Sequence, residues 1–149
     1  MSYVIQLLGD RNLCLGVESA AANSTVKLMQ LAGAGNPNTQ WNMDANTGLI
    51  TLVADKNMYL DIQGTDLSNG TAIIIANYVL GRPTQSWNWV GNPNFILNNG
   101  GPTFCVDATS TWTVGADTHM WSQSQNNQNQ KWSILSVPAM QAAMEMATA

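Results

Sequence analysis

Three tryptophans, each followed at i+2 by a second apolar residue, divide this chain into three copies of one segment. Trp41-Asn42-Met43, Trp87-Asn88-Trp89 and Trp132-Ser133-Ile134 stand 46 and then 45 positions apart. A second marker keeps the same step: the apolar-x-apolar triplets Leu15-Gly16-Val17, Leu60-Asp61-Ile62 and Val106-Asp107-Ala108 are 45 and 46 positions apart. Two markers in one phase describe one supersecondary unit repeated, and a unit too small to cover its own apolar face must cover it against the other copies.

The units run over about 1–45, 46–91 and 92–136 with no linker between them. Short apolar or alternating runs such as Tyr3-Val4-Ile5-Gln6-Leu7, Leu49-Ile50-Thr51-Leu52-Val53 and Ile73-Ile74-Ile75 read as strands. Turn residues bound them, as in Gly33-Ala34-Gly35-Asn36-Pro37-Asn38, Ser68-Asn69-Gly70 and Asn98-Asn99-Gly100-Gly101-Pro102. No helical period with good caps is sustained before residue 137, so the body is expected to be all-β, with about four strands per unit. Closing three such units around a shared axis removes sheet edges and exposed core together, which gives a β-trefoil with pseudo-threefold symmetry. Three blades are too few for a propeller, and an open solenoid needs distinct capping repeats. The tail, 137–149, differs in kind: Pro138 suits a helix start and Ala139 to Met146 are good helix formers. A helix so short must dock on its own barrel or on a neighbouring subunit, or fray.

With 149 residues, 45% of them hydrophobic, the chain has the length and apolar content of one domain. Only 9% of residues are charged and the net charge is −4, so the clustered Lys and Arg that nucleic acid requires are missing. Neutral polar residues take their place, as in Gln123-Ser124-Gln125-Asn126-Asn127-Gln128, a composition suited to hydrogen bonding with uncharged polar ligands. The start, Met1-Ser2-Tyr3-Val4-Ile5-Gln6, lacks a basic region before a long apolar run, and no segment approaches a membrane span. The expected location is cytoplasmic, with release by a non-classical route or by cell damage. Cys14 and Cys105 each lie two positions before the middle of a triplet, so they are repeat equivalents that threefold symmetry holds apart. Both are expected to be buried, reduced thiols.

Catalysis has little to work with. The chain holds two glutamates, Glu18 and Glu145, and one histidine, His119, without zinc-ligand spacing, a Gly-x-Ser-x-Gly motif or a phosphate-binding loop. Asp55, Asp61 and Asp66 lack the glycine and terminal glutamate of a calcium loop. No catalytic group, metal or cofactor is expected.

The closings Gln85-Ser86-Trp87 and Gln130-Lys131-Trp132 resemble the Gln-x-Trp repeat of ricin-B-type β-trefoil lectins, and the resemblance extends over residues 1–136. The first copy departs from it, reading Thr39-Gln40-Trp41. Alternation along the strand points the three tryptophans inward, as core. The resemblance implies a sugar pocket in a repeat that has an aspartate in the triplet, an aromatic platform further on and a polar pair before the closing tryptophan. Carboxylate and amide groups hydrogen-bond sugar hydroxyls, and a ring face covers the C–H patch of a pyranose.

The third repeat fills every slot, with Asp107, Trp121, Asn129 and Gln130, and is the principal expected site. His119 and Trp112 are candidate rim residues, the latter as a second stacking surface. The second repeat keeps Asp61 and Gln85, but Ala76 stands in the platform slot and Thr84 replaces the asparagine; Asn77 and Tyr78 lie beside that slot, where Tyr78 offers a shifted ring. The first repeat has Gly16, Met29 and Thr39 in place of the aspartate, aromatic and glutamine, retains only Asn38, and is expected to be silent. The resemblance thus implies a non-catalytic lectin for galactose- or N-acetylgalactosamine-type glycans, with pairing of weak sites in a homodimer as an open possibility. The alternative is a trefoil without sugar recognition that acts as a protein-binding module or protease inhibitor.

Overall fold

The computed structural model describes residues 1–31 and 35–148; Gly33 and Ala34 of the first expected turn, and Ala149, lie outside the described residues. Each repeat contributes four strands, in the phase set by the tryptophans. The first holds β1 (Ser2–Leu7), β2 (Asp10–Gly16), β3 (Lys27–Gln30) and β4 (Trp41–Asp44). The second holds β5 (Leu49–Leu52), β6 (Tyr59–Ile62), β7 (Ile73–Ala76) and β8 (Trp87–Asn88), and the third β9 (Leu97–Asn98), β10 (Gly101–Asp107), β11 (His119–Ser122) and β12 (Trp132–Ser136).

The fold is a β-trefoil. Its barrel is closed by β12 lying antiparallel on β1, from Tyr3↔Ser136 to Leu7↔Trp132, and continues through β4 to β5 and from β8 to β9. Single backbone bonds extend the closure, Trp87 N–H to Gly48 C=O and Trp132 N–H to Asn94 C=O, both 2.8 Å. The hairpins β2–β3, β6–β7 and β10–β11 cap one end. They are tied to one another by Val26 N–H to Ile73 C=O, Leu28 N–H to Ala116 C=O and Met120 N–H to Thr71 C=O, each 2.8 Å. Each hairpin thereby lends its edge to a neighbour, which leaves the small units stable only as a ring.

The two sequence markers meet inside the core. Trp41, Trp87 and Trp132 are buried, and each indole N–H donates to the carbonyl of the first residue of its own triplet: Leu15 at 3.0 Å, Leu60 at 2.9 Å and Val106 at 3.0 Å. A buried indole needs such an acceptor, so the tryptophan fixes the triplet as well as filling volume. Cys14 and Cys105 are free and buried on β2 and β10, and burial pushes both thiols up to about 12.

The tail forms α1 (Val137–Thr148), with the Ser136 hydroxyl accepting the Ala139 N–H at 3.2 Å as its cap. Pro138 is the second helical residue, one position later than the sequence suggested and still in the turn that needs no intrahelical N–H. Val137 and Met140 pack on Val4, Leu31 and Leu135, so the helix docks on its own barrel.

Candidate functional site

A short 3-10 turn precedes each closing tryptophan: Pro37–Thr39, Pro83–Gln85 and Gln128–Gln130. In the first and third repeats the turn is held against the triplet by Val17 N–H to Asn38 C=O at 3.0 Å and Ala108 N–H to Asn129 C=O at 2.7 Å. This is how residues more than 20 positions apart in sequence are brought to one place. The middle residue of the triplet points out of the core, yet the turn covers it: Asp61 and Asp107 are 2% and 3% exposed.

In the third repeat a cavity of about 310 Å³ is lined by Asp107, Thr109, Ser110, His119, Trp121, Asn127 and Asn129. Trp121 is 40% exposed and presents an open indole. The Asp107 carboxylate is held from three sides. Its Oδ1 accepts the Thr109 N–H at 2.6 Å and lies 3.0 Å from His119 Nε2, while Oδ2 accepts from Gln130 Nε2 at 3.1 Å. The His119 ring stacks on Trp121 with centroids 5.1 Å apart, so the histidine joins the acid to the indole wall. By lone-pair count Oδ1 is fully used and Oδ2 keeps one acceptor position. Asn129 spends its Oδ1 on the Trp112 indole N–H at 2.9 Å, which leaves its amide donors for the cavity.

Gln130 and Trp112 stand outside the cavity lining. Gln130 is buried, and it also braces the loop before the turn, donating to Ser122 C=O at 2.9 Å and accepting the Ser124 N–H at 2.9 Å. Trp112 is half-buried against the core, on the far side of Asn129. Thr109 and Asn127 line the cavity without having stood out in the sequence. The signal for Asn127 was its spacing to Asn129, which repeats that of Asn36 to Asn38: both Asn36 and Asn127 cap their turns, accepting the N–H two residues on at 3.1 and 3.0 Å.

In the second repeat an arginine fills the corresponding space. Arg82 occupies the cap position held elsewhere by Asn36 and Asn127, makes no cap bond, and places its Nε 2.9 Å from Asp61 Oδ2. Asp61 Oδ1 accepts from the Thr84 hydroxyl at 2.8 Å and from the Ile62 N–H at 2.7 Å, and the guanidinium also donates to the carbonyls of Ile62 and Gly64. Gln85 is buried like Gln130 and braces the Asn77–Val79 segment, donating to Asn77 C=O at 2.8 Å and accepting the Val79 N–H at 2.9 Å. Tyr78 is exposed and leans on Tyr59, with ring centroids 5.1 Å apart. Gln85 is thus joined to the Asn77–Val79 segment, whereas the Asp61 carboxylate faces a guanidinium.

The first repeat is filled by its own backbone and side chains. A Cβ on Gly16 would lie 2.9 Å from Asn38 O, from Met29 Cγ and from Thr39 Cγ2. The space an aspartate needs is taken, so this copy lacks both the acid and the room for one.

A family model described as a ricin-type β-trefoil lectin domain-like family matches residues 2–76, which is half of the chain. No curated protein matches the sequence. Among solved structures, the designed threefold-symmetric protein ThreeFoil superposes with a TM-score of 0.75 at 23% identity, over 91% of this chain and 98% of its own. The C-terminal half of the earthworm R-type lectin, solved in complex with GalNAc, gives 0.71 at 22% identity, over 91% and 98%. The ricin B-like lectin of Macrolepiota procera, in complex with lactose, gives 0.71 at 17% identity, over 91% and 95%. At these identities the likeness to the solved structures is one of fold.

Proposed function

The chain belongs to the ricin-type β-trefoil lectin-like family, and from that premise we propose that it is a non-catalytic carbohydrate-binding protein whose working pocket is in the third repeat. The observation that carries this reading is the 310 Å³ cavity in which a held carboxylate, a half-buried amide and an open indole face one space. The free acceptor position on Asp107 Oδ2 accepts a hydrogen bond from a sugar hydroxyl, Asn129 donates to a neighbouring oxygen, and Trp121 covers the C–H face of the ring. Galactose and N-acetylgalactosamine are the first ligands to try, since the earthworm and Macrolepiota proteins are described with GalNAc and lactose. One shallow, wet pocket of this kind binds on the order of millimolar, or about −4 kcal/mol, so avidity calls for pairing of pockets, as in a homodimer.

The test is calorimetry with galactose, N-acetylgalactosamine and lactose, beside a glycan array, on the parent and on Asp107→Ala. One site per chain, abolished by the substitution, supports the reading. No heat with any of these sugars and an array unchanged by the substitution overturns it.

A second reading, a protein-binding module, draws on one observation. Tyr78, Val79 and Leu80 form a run that is 47%, 52% and 87% exposed beside the arginine-filled second pocket. A pull-down that retains one specific protein in saturating free sugar, and loses it with Leu80→Ser, favours that function.

A further inference from the structure

The third-repeat cavity has a fixed hydrogen-bond polarity, and its origin lies outside the cavity. Asn129 has no backbone freedom to spare. Its N–H is capped by Asn127 Oδ1 at 3.0 Å, and its carbonyl accepts the Ala108 N–H at 2.7 Å. What remains open is the side-chain amide, whose terminal torsion is broad and roughly two-fold, so that either oxygen or nitrogen can face the ligand. That choice decides whether the pocket presents an acceptor or a pair of donors.

The Trp112 indole N–H, 2.9 Å from Asn129 Oδ1, makes the choice. An indole nitrogen only donates, so it holds the oxygen of the amide and turns Nδ2 away. Trp112 is itself immobilised across a repeat boundary. Its ring lies over Gly9 in the β1–β2 turn, where a Cβ would come within 2.5 Å of the ring, and it packs against the core. The second repeat has the same seam with a different filler: Leu67 lies over Gly101, where a Cβ would come within 2.7 Å of its Cδ1. Packing of that seam is met by an aliphatic chain with no donor, so the N–H in the third repeat is not a requirement of packing.

Resting on the carbohydrate reading above, we infer that Trp112, seated on Gly9, is a positioning residue that locks Asn129 as a donor and so sets the ligand class of the pocket. With Asp107 Oδ2 as the remaining acceptor, the pocket takes a vicinal pair of oxygens, one donating to the acid and its neighbour accepting from the amide. A ligand that offers two donors, or two acceptors only, is refused at one of the two positions.

The experiment compares the parent with Trp112→Phe, which keeps an aromatic ring and removes the donor, and with Trp112→Leu, which copies the second seam. The expected result is a cooperative melting transition in both variants, which shows that they fold, and a roughly five- to tenfold weaker affinity for lactose or N-acetylgalactosamine in both. Parent-like affinity in Trp112→Phe overturns the inference and leaves the carbohydrate reading standing. Should the parent bind none of these sugars, the reading falls, and the lock is decided without ligand by nitrogen-15 NMR. The Trp112 indole proton should exchange slowly in the parent and in Asn129→Asp, which keeps an oxygen for it, and quickly in Asn129→Ala. Equal exchange in all three overturns the lock.

Discussion

Gln130 Nε2 donates to Asp107 Oδ2 at 3.1 Å from beneath the third-repeat pocket, so the glutamine of the Gln-x-Trp signature orients the acid and does not itself line the cavity. The same amide holds Ser122 C=O and the Ser124 N–H, which joins the acid, the end of β11 and the loop before the turn in one buried network. Partial satisfaction of such a network is costly, and the consequence is measurable.

Gln130→Ala is expected to lower stability by about 2 kcal/mol, since buried groups lose their partners. It is also expected to weaken sugar binding about tenfold although no ligand contact is removed. Denaturant unfolding and calorimetry on the same preparation check both, and unchanged affinity at reduced stability would confine Gln130 to a folding role.

Arg82 and Asp61 form an ion pair whose acid is buried, at 2% side-chain exposure against 24% for the arginine. Arg82→Ala strands a buried carboxylate and is expected to cost about 3 kcal/mol. Adding Asp61→Asn removes the stranded charge and should recover more than half of that loss, which a double-mutant cycle in urea measures. Neither variant is expected to bind sugar at the second repeat, because Ala76 leaves no platform there.

Gly16→Asp restores the family residue to the first repeat but meets Asn38 O, Met29 Cγ and Thr39 Cγ2 at 2.9 Å with its Cβ alone. The expected outcome is a loss of about 2 kcal/mol from overpacking and no additional binding site. Titration stoichiometry and thermal unfolding decide it; a rise in the number of sites would show that Met29 and Thr39 move aside.

Cys14 and Cys105 should resist alkylation at pH 8 in the folded protein and react on unfolding, because burial pushes both thiols from 9.0 up to about 12. The stability consequence has a definite sign. Above pH 9 the unfolded chain releases thiol protons that the folded chain keeps, so each cysteine lowers stability by roughly 1.4 kcal/mol per pH unit up to its folded value. Unfolding of the parent and of Cys14→Ala/Cys105→Ala at pH 8, 9 and 10 reads this directly: the parent should fall faster with pH.

The architecture was legible because it depends on periodicity. The common phase of Trp41, Trp87 and Trp132 with the three triplets predicted four strands per repeat, and the indole-to-carbonyl bonds to Leu15, Leu60 and Val106 are the contacts that make the two markers keep step. The cluster of Asp107, Trp121 and Asn129 followed from the resemblance to the Gln-x-Trp lectins laid over that phase, as did the contrast with Gly16 and Met29. The roles within the cluster did not. Gln130 reads in sequence as a ligand-facing amide, and nothing local to Trp112 points to Asn129, 17 positions on. Nothing local to Arg82 marks its reach to Asp61, 21 positions back in the chain.

From the sequence alone came the number of repeats, their strands, the buried tryptophans and the one repeat that carries a complete set of polar and aromatic groups. The tertiary structure alone decided which partner each polar group takes: His119, Thr109 and Gln130 on Asp107, Arg82 on Asp61, Trp112 on Asn129. Apolar burial is non-directional and is written along the chain as a period, whereas a hydrogen bond exists only within about 3 Å and a narrow angle. That geometry is fixed where the triplet, the hairpin and the closing turn of one repeat meet, so it emerges only after the repeat has folded on itself.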